Sequence, residues 1–154
     1  MQNIEVIARA VIINKGMILL ARARGSTNTF LPGGHIEEGE FSREALRREL
    51  KEELGVETVV GHYVGTLEYI YHQNNGSLVH EINIIFEVKV HESNVSSHES
   101  KLEFIWVKPG ELEKAVLLPE PLPELLTSWK KTGEPFYECM IESDRIRHLL
   151  SQHS

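Results

Sequence analysis

Glu49, Glu52 and Glu53 are the residues whose type and spacing best serve chemistry in this chain. On a helix turning about 100° per residue, Glu52 lies about 60° to one side of Glu49 and Glu53 about 40° to the other. The three carboxylates would then share one face. Like charges that close on a helix repel by about a few tenths of a kcal/mol. A hard divalent cation among the oxygens reverses that balance, and Mg²⁺ or Mn²⁺ suits an all-oxygen site. The competing reading is a solvated acidic face, the ordinary fate of glutamate.

The element that must carry these acids is legible. Leu46, Leu50 and Leu54 recur every fourth residue, which predicts a helix over residues 42–54 with an apolar stripe against a sheet. Ser42 is the expected N-cap and Gly55 the expected stop. Before it, two apolar runs at residues 6–13 and 17–21 flank Asn14-Lys15-Gly16 and predict a β-hairpin. Phe30-Leu31-Pro32-Gly33-Gly34 reads as a loop with unusual backbone angles.

After the helix, residues 58–71 and 79–90 read as strands separated by the turn signal Asn74-Asn75-Gly76. Phe104-Ile105-Trp106-Val107 reads as a further strand stopped by Pro109-Gly110, with Trp106 in the core. Residues 124–130 predict a second helix, and residues 143–154, with Ile146, Leu149 and Leu150, a short helical or frayed tail. This order of hairpin, loop, helix, strands and helix predicts an α+β fold, layered α/β/α, formed by residues 1–154 as one domain.

Composition narrows the function classes. A net charge of −7 disfavours long nucleic acid, which is bound by basic surfaces that displace counterions. It leaves polyanionic substrates open, since a bound cation inverts the local charge. Cys139 is the one cysteine, so no internal disulfide can form and a cytoplasmic location is expected. The opening residues lack the features of a signal peptide, and no apolar run approaches the ~20 residues needed to span a bilayer.

The surroundings of the acids are far more specific than the acids alone. Residues 34–56, GHIEEGEFSREALRRELKEELGV, fit G-x5-E-x7-R-E-U-x-E-E-x-G-U, where U is a bulky aliphatic residue. Gly34, Glu40, Arg48, Glu49, Leu50, Glu52, Glu53, Gly55 and Val56 fill the fixed places. The segment resembles the Nudix box, the signature of the Nudix (MutT-like) hydrolases, and Phe30-Leu31-Pro32-Gly33 resembles the family's lead-in.

That resemblance implies an α/β/α sandwich with a mixed β-sheet and a metal-dependent hydrolase that cuts a pyrophosphate linkage. The substrate it implies is a nucleoside diphosphate joined to a variable moiety. Glu49, Glu52 and Glu53 match the family's metal ligands, and Gly34 a position whose backbone carbonyl often joins them. Arg48 matches an arginine that holds the acidic cluster in place. Glu40 matches a position that is often structural. The general base is Glu52 or Glu53 in the box, or an acid on a later loop, for which Glu99 is the candidate. A nucleotide house-cleaning role is the commonest family theme; ADP-ribose, dinucleoside polyphosphates, capped RNA ends and nucleotide sugars stay open. Family dimers are common, and the apolar residues of the tail could serve a homodimer.

Arg22 and Arg24 leave the second strand beside the box and could meet a substrate phosphate. Phe30, Tyr69 and Tyr71 could stack on a base, with packing as the competing use. The histidines show no zinc-type spacing, and neither a Walker loop nor a Gly-x-Ser-x-Gly elbow occurs. A nucleotide-sensing module without catalysis is the alternative of a different class; the intact box favours the enzyme. An isoprenoid diphosphate isomerase would need a cysteine placed for that chemistry, and Cys139 stands alone.

Overall fold

The computed structural model describes residues 3–91 and 95–142, so the expected tail from Ser143 onward lies outside the described residues. β1 (Asn3–Asn14) and β2 (Met17–Ala23) form the expected hairpin, with Asn14 opposite Met17. Lys15 and Gly16 between them have φ of 50° and 76°. Two left-handed residues in a row suit the right-handed twist of the flanking strands.

The lead-in departs from the expected loop. Gly33–His35 is a short strand, β3, antiparallel to β1 with Ala8 opposite Gly34. Gly33 has φ of 136°, and a Cβ there would collide with the Ala8 carbonyl. The glycine therefore permits a close approach of two backbones rather than a free loop.

α1 spans Ser42–Leu54 as expected, but its N-cap is Phe41, and Ser42 is already the first helical residue. The Phe41 amide donates to Glu44 Oε2 at 3.3 Å, so an acid in the first turn satisfies the cap residue's own backbone, while the cap side chain itself makes no hydrogen bond to the helix. Gly55 ends the helix in the left-handed region, its amide donating to the Lys51 carbonyl. β4 (Thr58–His72) and β5 (Leu78–Val90) follow as an antiparallel pair, then β6 (Leu102–Val107), α2 (Leu122–Thr132) and β7 (Phe136–Ile141). α2 begins two residues before its expected start and ends two after its expected end, and β7 is a strand that the sequence pattern does not announce.

The sheet runs in the order β6-β2-β1-β5-β4-β7, with β3 beside β1. β1 pairs in parallel with β5, and β4 with β7; the other pairings are antiparallel, which makes the sheet mixed. Each face carries one helix. Leu46, Leu50 and Leu54 of α1 pack on Ala8, Ala10, Ile12, Phe86 and Val88, and the small alanines let the helix settle close to the strand. On the opposite face Leu122 and Leu126 of α2 pack with Val11, Leu20, Leu31, Leu67 and Ile85. Alternation along β1 thus feeds both cores and gives the α/β/α sandwich. Arg43 pins the start of α1, donating from Nη1 to the Val60 and Gly61 carbonyls at 3.1 and 2.7 Å. Among the described residues no helix is long and apolar enough to cross a membrane.

Candidate active site

The acids of α1 are graded by burial. Glu53 is 6% exposed, the Glu49 side chain 19% and that of Glu52 53%, so the face runs from the sheet out to solvent. Gly34 shapes the inner part, because a Cβ there would strike the Glu49 carboxylate. Glu53 Oε2 accepts from the Gly33 amide at 3.3 Å, which ties the helix to β3. Burial, with the charge of Glu49 beside it, pushes the Glu53 carboxyl up to about 7.

Arg48 organises the outer part. Its Nε and Nη2 donate to the two oxygens of Glu40 at 3.1 and 2.6 Å, a two-pronged pairing that suits a guanidinium. Nη1 donates to Glu49 at 2.8 Å and to Glu52 at 3.5 Å, and Nη2 also reaches the His35 carbonyl at 3.0 Å. Glu40 is held below the usual carboxylate range by the Arg48 hydrogen bond, and Arg48 above its ordinary value by Glu40.

Among the described residues no three His, Cys, Asp or Glu side chains converge as a ready metal cage. Arg48 holds Glu49 and Glu52 by hydrogen bonds, while Glu53 accepts from the Gly33 amide. The donor set nevertheless fits a hard cation. It consists of carboxylates on one face, one in a notch kept open by Gly34 and one whose burial, with the charge of Glu49 beside it, makes it hold its proton tightly.

Glu99 lies in a segment docked on the end of α1. The His98 amide donates to the Glu53 carbonyl at 2.7 Å, and the His98 ring occupies the space that a Cβ on Gly55 would fill. Glu99 itself is exposed, and its charge contributes to the raised affinity of Glu53 for a proton. The structure thus brings Glu99 within electrostatic reach of Glu53.

On the α2 face of the sheet lies a cavity of about 430 Å³, lined in part by Leu31, Ile85 and Leu122 of that core. Phe30, Tyr69 and Tyr71 all line it, and the two tyrosine rings stack at 4.8 Å between centroids. Arg22 and Arg24 do not line it. Arg22 pairs with Glu103 across β2–β6 at 2.7 Å, and Arg24 donates to the Ser100 carbonyl at 2.8 Å. Arg9, Glu81 and Asn83, none of them expected from the sequence, line the cavity instead. Burial pulls the Arg9 guanidinium below its ordinary value, and the charges of Glu81, Glu53 and Glu49 oppose that pull. Arg9 therefore stands between the cavity and the helix acids. The available signal was a charged residue inside the apolar run Val6-Ile7-Ala8-Arg9-Ala10-Val11, and Asn83 inside β5.

The acid face of α1, edged by Gly34, offers the oxygen donors that metal-assisted hydrolysis of a phosphoanhydride needs. Comparison with known proteins agrees. The NUDIX domain family matches residues 4–128. CTP pyrophosphohydrolase of Escherichia coli (strain K12) is 34% identical over 131 residues, covering 81% of this chain and 90% of its own. Nucleoside triphosphatase NudI of Klebsiella pneumoniae is 31% identical, covering 67% of this chain and 81% of its own. Among solved structures, the E. coli ORF135 protein superposes with a TM-score of 0.63 at 29% identity, covering 87% of this chain and 95% of that one. The MutT protein from Bacillus halodurans shares the fold at TM-score 0.70 and 18% identity, covering 89% of each chain. The chain belongs to the Nudix family and is a pyrophosphohydrolase, an enzyme that hydrolyses a pyrophosphate bond.

Proposed function

We propose that this enzyme hydrolyses a nucleoside triphosphate between the α- and β-phosphates, releasing the monophosphate and pyrophosphate, with Mg²⁺ or Mn²⁺ held by Glu49, Glu52, Glu53 and the Gly34 carbonyl. The observation that carries the reading is Arg9, which lines an aromatic cavity large enough for a nucleoside and feels the charges of Glu53 and Glu49 on α1. The activities named for the E. coli and Klebsiella relatives support it. When bound, the cation neutralises the phosphates and acidifies water near them.

The chain's own residues do the rest. Arg48 orients Glu49 and Glu52 and keeps Glu40 as a fixed counter-charge. One acid takes the proton of the attacking water as the bridging oxygen leaves. Glu52 suits that role by its exposure and Glu53 by its raised proton affinity; Glu99 is the alternative beyond the helix. Phe30, Tyr69 and Tyr71 give the base flat apolar faces, where stacking contributes about 1–3 kcal/mol.

The test is a panel of nucleotides incubated with Mg²⁺, with the phosphate products identified. Monophosphate and pyrophosphate in equal amounts are expected. Release of orthophosphate, or turnover confined to ADP-ribose or nucleotide sugars, would overturn the assignment.

A further inference from the structure

One wall of the aromatic cavity carries a polar row across the paired strands β1, β5 and β4. Arg9 Nε donates to Asn83 Oδ1 at 3.2 Å, and Asn83 Nδ2 donates to Glu81 Oε1 at 2.9 Å. The Tyr71 hydroxyl donates to Glu81 Oε2 at 3.3 Å. Asn83 is 3% exposed, and its Nδ2 also donates to the Leu67 carbonyl at 3.4 Å. Its orientation is forced, because a guanidinium only donates and a carboxylate only accepts. Asn83 is therefore a spacer that sets a cation and an anion at a fixed separation.

Both ends of the row keep unused capacity. Arg9 spends Nε on Asn83 and one Nη1 hydrogen on the Leu31 carbonyl at 3.0 Å, so among the described residues its Nη2 has no partner. Each Glu81 oxygen retains a second lone pair. Arg9 is half-buried and, like Glu81, lines the cavity. It is also the one cationic side chain among the lining residues, and Glu81 the one anionic.

We propose that Arg9 and Glu81 are specificity-determining residues that read the edge of a nucleobase. Arg9 donates to an exocyclic oxygen, and Glu81 accepts from an exocyclic amine. The inference rests on the nucleotide reading above and narrows it to bases that carry both groups. Cytosine and guanine do; uracil and thymine lack the amine, and adenine lacks the oxygen. Uracil would set its O4 against the Glu81 carboxylate, acceptor against acceptor. A site built to pair with a substrate group rejects an analogue lacking it, because its own polar atoms are left unpaired.

The test measures kcat/KM for CTP, GTP, UTP and ATP with Mg²⁺, and Kd for the four monophosphates in EDTA. The wild-type enzyme is expected to prefer CTP or GTP over UTP and ATP by about 10-fold or more, with the same order in monophosphate binding. The favoured member of the first pair tells a pyrimidine from a purine site. Glu81→Gln, whose amide can turn to donate, should bring the pyrimidine triphosphates to within about threefold of each other. Arg9→Lys keeps the charge but loses the planar fork, and should lower CTP and GTP turnover more than ATP turnover. Equal turnover of all four bases, or a preference that survives Glu81→Gln, would overturn the proposal. Failure to hydrolyse any triphosphate would instead sink the functional assignment; the monophosphate series still decides the base reading, and equal affinities would reject it.

Discussion

Replacing Glu53 by Gln should stabilise the metal-free protein at neutral pH while disabling it. Burial and the neighbouring Glu49 charge raise the Glu53 carboxyl from its ordinary 4.5 to about 7. Below pH 4.5 the group is protonated in folded and unfolded chains alike and its favourable contribution is fully present. As pH rises towards 7 the unfolded chain ionises first, so folded-state stability falls, and above 7 the loss is complete. A tenfold difference in proton affinity between folded and unfolded chains corresponds to about 1.4 kcal/mol, so the deficit at about pH 8 is about 3 kcal/mol. Gln keeps an oxygen for the Gly33 amide and carries no charge, so it escapes that deficit. For a chain of this size the gain corresponds to about 6–12 °C in Tm. Urea denaturation in EDTA at about pH 5 and about pH 8 checks it: the wild-type midpoint should fall with pH, and the variant's should fall much less. Mg²⁺ at about 100 times its Kd should return about 2.7 kcal/mol to the wild type. A Glu53→Gln protein less stable than wild type at the higher pH in EDTA would refute the reasoning.

Other perturbations probe the rest of the site. Glu52→Gln should lower kcat by about 10²-fold, the equivalent of ~3 kcal/mol in the transition state. Glu99→Gln should do the same only if the base lies beyond the helix, so kcat for the pair decides between them. Arg48→Lys loses the fork on Glu40 and should raise the Mg²⁺ concentration for half-maximal rate by about 10-fold or more. Gly33→Ala forces a Cβ onto the Ala8 carbonyl and should cost about 1–3 kcal/mol, measured by urea denaturation. Leu50→Ala empties a fully buried position under α1 and should cost about 2–5 kcal/mol by the same assay.

The helix and its acids were legible because their signals are local. A leucine every fourth residue, a glycine stop and the box spacing all lie within α1 and its flanks. What depends on distant partners was not. Gly33 and Gly34 have poor strand propensity, and only the pairing with β1 makes them β3. β7 exists as a parallel neighbour of β4, a pairing that no short-range pattern encodes. Phe41 takes the cap position ahead of Ser42, and Glu44 reaches back to its amide. Arg22 and Arg24 look like free cations along the chain, whereas Glu103 of β6 and the Ser100 carbonyl just before it supply their partners. Conversely, Arg9 meets Asn83 from 74 residues away, so the polar wall of the cavity emerges only when β1 and β5 lie side by side.

The most direct test of the central claim is a Mn²⁺ titration followed by water-proton relaxation, on the wild type and on Glu49→Gln and Glu53→Gln. Saturable binding in the wild type, weakened about 10-fold or more in each variant, is what a carboxylate site on α1 predicts. Equal Mn²⁺ affinity in all three proteins would place the metal elsewhere and contradict the account.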